Sequence, residues 1–181
     1  MNLQHTPTLA AKLSSAYLLL DTTVCINASK SDEFLGLVSK LSGSGCSLMT
    51  IPSVVYEFTR NSNSIIGYNE RQEFIKGLNV TVLNRVEEVL EKEQVFKIAY
   101  AKAFSAPNEK GPSYTDALLC TVAYKYRAHD MLLMTANHKD IPRSMFDRTE
   151  LITIDVGGNL RTEAIYKLSP NKLNKVIDSI H

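Results

Sequence analysis

A chain of 181 residues, 44% apolar and 22% charged, has the size and make-up of one globular domain with an ordinary core. Its net charge of +1 gives no case for a strongly basic nucleic-acid binder, although a basic rim around an acidic site would cancel in that sum. No apolar run approaches the roughly 20 residues needed to cross a bilayer, and the start, MNLQHTPTLAAKLSSA, lacks the basic and long apolar segments of a signal peptide. Cys25, Cys46 and Cys120 are odd in number and lie among apolar neighbours, so they read as free thiols in a reducing cytoplasm rather than as a disulfide framework or a zinc site.

In chain order, Leu18 to Leu20 reads as a short buried strand that stops at Asp21. Thr22 and Thr23 then read as turn and phosphate-facing residues, and Cys25 and Ile26 as core. Ser31 suits the cap of a helix running to about Leu41, with Asp32 and Glu33 in its first turn and Gly43 beyond its end. Cys46 to Ile51 is a second buried strand, and Pro52 suits the first turn of the helix PSVVYEFTR. After a polar loop come a short helix from about Glu70 to Lys76 and a β-branched strand from Leu78 to Leu83. Arg85 to Phe104 has a helical apolar period, with Val86, Val89, Leu90, Phe96, Tyr100, Ala103 and Phe104 near one face. SAPNEKGPS is a loop, and Thr115 to Arg127 is a helix apolar on most sides, hence central. Met131 to Ala136 and Leu151 to Val156 are buried strands, and PNKLNKVIDSI is a small terminal helix. Apolar strands separated by helices indicate an α/β fold with a mostly parallel sheet and helices on both faces.

In such a sheet, sites form at the carboxyl ends of the strands. Asp21 ends the first strand, Glu57 lies in the helix after the second, and Asp116 opens the central helix. Thr135, Asn137 and Asp140 follow the strand LLM, so all fall on one predicted edge. Carboxylates gathered at close range repel and are tolerable mainly beside a cation, and oxygen donors without Cys or His suit magnesium or manganese. Each residue also has a plainer role. Asp21 would cap a turn. Glu57 would pair with Arg60 or Asn61 along its helix. Ser113 and Asp116 would form a capping box, which leaves one oxygen of Asp116 for other work. Thr135 and Asn137 would be turn residues and Asp140 a loop acid. His138 would be an exposed loop histidine or a phosphate contact. Arg60, Lys139, Arg143 and Arg148 would line an RNA path or contact nothing. Tyr56 and Tyr114 would stack a base, or more simply join the core.

The segments LLLDTTV, PSVVYEFTR, YTDALLC and LMTANHKDIP, in that order over about residues 17–157, resemble the PIN-domain family, most closely its VapC-type toxin ribonucleases. The resemblance implies a three-layer α/β/α sandwich at 17–157, flanked by an N-terminal extension at 1–16 and a C-terminal extension with a short helix at 158–181. It implies an endoribonuclease using magnesium or manganese, with Asp21, Glu57 and Asp116 as the acidic triad. Thr135 would orient the first aspartate, and Asn137 would occupy a position that is often acidic. Arg60, Lys139 and Arg143 would meet RNA. The resemblance also implies a small antitoxin partner and a homodimer. This chain departs from the common pattern in its neutral Asn137, for which Asp140 would stand in, and in the length of chain before Asp21. Two other classes remain open: a catalytically weak PIN-like RNA-binding or regulatory module, and a haloacid-dehalogenase-like phosphatase, whose nucleophile loop needs a second aspartate where Thr23 stands.

Overall fold

The computed structural model describes residues 6–60, 62–104 and 111–180. Six strands form one sheet in the order β3-β2-β1-β4-β6-β5: β1 (Tyr17–Leu20), β2 (Ser47–Thr50), β3 (Thr81–Val82), β4 (Met131–Thr135), β5 (Phe146–Val156) and β6 (Asn159–Leu168). The pairings among β1, β2, β3 and β4 are parallel, with Leu18 opposite Leu48 on one side and Leu132 on the other. β6 pairs antiparallel to both β4 and β5. The chain thus leaves β1 for β2 and β3, then returns to the other side of β1 for β4. That reversal makes the gap beyond the carboxyl ends of β1 and β4 the switch point where an open α/β sheet forms a crevice.

Alternate side chains of the strands serve two separate cores. Leu18, Leu20, Leu132, Met134 and Ile165 meet Val24 and Ala28 of α2 (Thr22–Ala28) and Phe34, Leu37, Val38 and Leu41 of α3 (Asp32–Gly43). Leu13, just after α1 (Thr6–Lys12), joins the same cluster. On the other face, Leu19, Leu133, Ala164 and Tyr166 meet Val54 and Phe58 of α4 (Pro52–Arg60), Ile75 of α5 (Ile65–Gly77), Val86 of α6 (Val86–Lys92), and Phe96, Ala99 and Tyr100 of α7 (Gln94–Ala103). Leu118, Leu119, Cys120 and Val122 of α8 (Tyr114–Lys125) and Leu173 of α9 (Pro170–Asp178) complete that core. α8 is buried on most sides, as its composition requires.

Local chemistry sets the element ends. Ser31 caps α3 by accepting from the Phe34 amide, and Pro52 opens α4. Four expectations are corrected. The helix expected over 85–104 is two helices, because Glu93 at φ −91°, ψ 56° breaks it between α6 and α7. The strand expected over Leu78 to Leu83 shortens to Thr81–Val82, since it is an edge with both residues exposed. Asp21 and the threonines after it start a helix, α2, not a turn alone. The segment read as a C-terminal extension carries β6, which lies between β4 and β5. β5 and β6 join through Gly157 (φ 60°) and Gly158 (φ 82°), a two-residue turn whose positive φ values favour glycine. Part of the loop expected at SAPNEKGPS lies outside the described residues, as does Asn61.

Candidate functional site

The strand β1 delivers Asp21 to the switch point, where its amide donates to the Met134 carbonyl at 3.1 Å. As N-cap of α2 it keeps one carboxylate oxygen, Oδ1, on the Thr22 amide at 2.6 Å. Oδ2 accepts from Thr135 Oγ1 at 2.7 Å and Thr23 Oγ1 at 3.0 Å. Thr135 ends β4, so two neighbouring strands fix one carboxylate. Thr23 Oγ1 in turn accepts from the Ala136 amide at 3.0 Å, and Thr135 Oγ1 accepts from the Asn137 amide at 2.8 Å.

Glu57 reaches the site from α4. Its Oε2 accepts from Thr22 Oγ1 at 2.7 Å and its Oε1 from Thr115 Oγ1 at 2.6 Å, which ties α4 to the first turns of α2 and α8. The pairing expected with Arg60 is therefore replaced by two threonines. Asp116 does form the capping box with Ser113: its Oδ2 accepts from the Ser113 amide at 3.0 Å and from Ser113 Oγ at 2.6 Å, while its own amide donates to Ser113 Oγ at 3.2 Å. Its other oxygen accepts from Asn137 Nδ2 at 3.4 Å. Asn137 Nδ2 also donates to Asp140 Oδ2. The cap and the site thus use different oxygens of one side chain.

Asp21, Asp116 and Asp140 are all buried. Among the described residues none of them, nor Glu57, is ion-paired to a lysine or arginine. Burial raises the Asp21 carboxyl above its ordinary range, against the bonds from Thr135, Thr23 and Thr22, and the charge of Glu57 raises it further. Burial likewise raises Asp116, opposed by Ser113 and aided by the charges of Asp21 and Asp140. Hard oxygen donors with unbalanced negative charge suit a divalent cation in chemistry and in sign. In the conformation described, hydroxyls and amides hold the acids apart. No three His, Cys, Asp or Glu side chains among the described residues are gathered as one ligand group.

All six expected site residues, Asp21, Glu57, Asp116, Thr135, Asn137 and Asp140, thus fall into one hydrogen-bonded region. The threonines are corrected: Thr22, Thr23 and Thr115 donate to the acids, a role the sequence reading missed for all three. His138 is also corrected. It is half-buried, with Nε2 against the Thr162 carbonyl at 3.1 Å and Nδ1 against Tyr166 Oη at 3.0 Å. A carbonyl only accepts, so Nε2 carries the proton and a neutral ring accepts from Tyr166 at Nδ1. Burial lowers its pKa, opposed by the Thr162 bond and aided by Arg148 and Arg143. Tyr56 and Tyr114, at 65% and 59% exposure, are not core residues. Arg60, Lys139 and Arg143 are exposed. Lys139 and Arg143, with His138, line an open cavity of about 380 Å³ floored by Phe104, Ile141 and Pro142.

A further buried acid was not foreseen. Glu163 of β6 is fully enclosed, and its Oε1 accepts from Asn27 Nδ2 of α2 at 2.6 Å. Cys25, Cys46 and Cys120 are free and buried, as their neighbours suggested. No helix among the described residues is long and apolar enough to cross a membrane. Compared with protein-family models, with characterised proteins and with solved structures, the chain matches none.

Proposed function

We propose that this chain is a divalent-metal-dependent ribonuclease with a PIN-like three-layer α/β/α architecture. The observation that carries the reading is that Asp21, Glu57 and Asp116 share one hydrogen-bonded region at the switch point between β1 and β4, joined through threonines and Asn137, with no lysine or arginine among the described residues ion-paired to them. Two helix-covered cores on opposite faces of the sheet support the layered form.

Asp21 and Asp116 would hold a magnesium or manganese ion, with Glu57 toward a bound water. When bound, such an ion lowers the pKa of water and stabilises charge on phosphoryl oxygens. The chain's own residues do the positioning. Thr135 and Thr23 restrict Asp21 to one orientation, Ser113 does the same for Asp116, and Thr22 with Thr115 aims Glu57. Asn137 links Asp116 to Asp140 without adding charge. Lys139, Arg143 and, from α4, Arg60 offer exposed cations to phosphates, the commonest kind of RNA contact. The exposed rings of Tyr56 and Tyr114, one residue before Glu57 and two before Asp116, suit stacking on unpaired bases. A cytoplasmic setting, a homodimer and a small antitoxin that masks the acids belong to the same proposal.

The test is cleavage of a single-stranded RNA by purified protein with manganese, with manganese plus chelator, and by Asp21→Asn. Cleavage only in the first supports the proposal; equal cleavage in all three removes it. A second reading, a PIN-like RNA-binding module with weak or no catalysis, is favoured by neutral Asn137 and by the separation of the acids. It predicts RNA binding without cleavage and without manganese-induced stabilisation.

A further inference from the structure

Glu163 lies on β6, enclosed and bonded to Asn27 in the last turn of α2. Alternation along β6 puts it on the face shared with Ile165, and its register partner Ile152 lies on that face too. The groups that face it are few. From α2 comes Asn27, its hydrogen-bond donor, and from β5 comes Ile152; the charge of Asp21 acts on it, and the Cys25 thiol feels its charge, at longer range. Among the described residues no lysine or arginine pairs with it, and its second oxygen, Oε2, has no hydrogen-bond partner. A carboxylate enclosed with one donor leaves half its charge unmatched, whereas the protonated acid leaves only a hydroxyl unmatched. Burial, eased by the Asn27 bond and reinforced by the charge of Asp21, pushes its pKa up to about 8.

The partner of Glu163 matters because of where it sits. Asn27 closes the last turn of α2, and the first turn of the same seven-residue helix holds Asp21 as its cap, with Thr22 and Thr23 beside it. Those two threonines donate to Glu57 and Asp21. One rigid turn and a half therefore connects the Asn27–Glu163 bond to two of the acids. On β6, the residue before Glu163 is Thr162, whose carbonyl holds His138, next to Asn137. The strand thus grips both site-bearing segments, α2 and the 137–140 turn.

We propose that Glu163 is a positioning residue of the acid cluster: bound to Asn27 it seats α2 on β6, and with α2 the side chains of Asp21, Thr22 and Thr23, and its ionisation, which sets an unpaired buried charge against that of Asp21, shifts that seat. The consequence for cleavage rests on the ribonuclease reading above; the seating of α2 does not.

The experiment follows the Glu163 carboxyl carbon and the amide signals of Thr22, Thr23 and Asn27 by NMR in the intact protein between pH 6 and 9.5. It also records RNA cleavage with manganese across the same range for the parent and for Glu163→Gln. The amide keeps an acceptor for Asn27 and cannot ionise. In the parent, the Thr22 and Thr23 amides are expected to move with the midpoint of the Glu163 carbon, near pH 8. In Glu163→Gln they hold still, and cleavage loses a several-fold alkaline decline in kcat while KM is unchanged. Thr22 and Thr23 signals that stay fixed while the Glu163 carbon titrates overturn the proposal, as does a Glu163 carbon already ionised at pH 6. A parent that never cleaves removes the ribonuclease reading and leaves the NMR result to decide the role of Glu163. If Glu163→Gln does not fold, the titration of the parent alone decides it.

Discussion

Replacing Asp116 by Asn separates the two duties of that side chain. The capping oxygen accepts from the Ser113 amide and hydroxyl, and an Asn carbonyl accepts as well, so the loss of about 0.5–2 kcal/mol expected when a cap is truncated does not arise. The charge does disappear. The folded pKa of Asp116 is raised, above all by burial, so its stabilising share is complete below the unfolded value of 3.8 and is lost as pH rises through the folded value. At pH 7 the parent carries that cost and the variant does not. Each pKa unit of elevation corresponds to about 1.4 kcal/mol, and for a chain of 181 residues 1 kcal/mol moves the thermal midpoint by about 2–4 °C. Asp116→Asn is therefore expected to melt a few degrees above the parent at pH 7 and level with it near pH 4. Asp116→Ala, lacking the cap acceptor, melts below Asp116→Asn at both. Calorimetry of the three proteins at the two pH values, beside manganese-dependent RNA cleavage, makes the comparison. Cleavage by Asp116→Asn is expected to fall at least about 100-fold, the scale lost with a group that stabilises developing charge. A variant that melts below the parent equally at pH 4 and pH 7 refutes the electrostatic reasoning, and one that cleaves at the parental rate refutes the site.

Manganese at about 100 times its dissociation constant is expected to add about 2.7 kcal/mol of stability, read as a rise in thermal midpoint that Asp21→Asn abolishes. Since ligation requires ionised acids and both Asp21 and Asp116 titrate above their ordinary range, titration calorimetry should find the affinity climbing as pH is raised from about 4 toward neutrality. Asn137→Asp would add a carboxylate beside Asp116 and Asp140; it is expected to lower the metal-free midpoint and enlarge the manganese-induced rise, and a variant unchanged in both would mean that position 137 does not face the site. Thr135→Val removes the donor to Asp21 and the acceptor for the Asn137 amide inside a buried strand end. It should cost about 1–3 kcal/mol in denaturant unfolding and depress cleavage more than Thr23→Val, which leaves the shorter of the two hydroxyl bonds to Asp21 in place.

The legible parts of the fold were those where local and tertiary demands agree. PSVVYEFTR became a helix from its proline onward because Pro52 fits a first turn and Val54 and Phe58 fall on one face. Tertiary demand overrode local signals elsewhere. TTVCINA is short and β-branched at four positions, a poor helix by propensity, yet Val24, Cys25 and Ala28 are buried and Asp21 supplies a cap, so α2 forms. The apolar period over 85–104 is continuous, but α6 touches α8 more than α7 does, and the backbone bends at Glu93 to let both segments lie on that helix. β6 was legible and was missed. Gly157-Gly158 between LITIDV and NLRTEAIYKL is the two-residue signal of a tight hairpin, and the long strand it starts carries Thr162, Glu163 and Tyr166.

The acids of the site could be found by their place at one edge of the expected sheet, and Thr135 by the resemblance, whereas the other three threonine partners could not. Nothing in the chain distinguishes Thr22, Thr23 and Thr115 from ordinary turn and helix-start threonines, because what makes them donors is the parallel pairing of β1 with β4 and the approach of α4 and α8. Their chemistry nonetheless fits the proposed task better than that of lysine or arginine would. A cation beside Asp21 or Asp116 would satisfy the carboxylate and at the same time cancel the field that draws a divalent ion. A threonine hydroxyl donates one hydrogen bond and adds no charge. The four hydroxyls therefore fix the carboxylates while leaving the negative potential of the crevice intact, and the cost of burying them, increased by the neighbouring acids, is carried as the raised pKa of Asp21 and Asp116 until a cation, or a proton, relieves it.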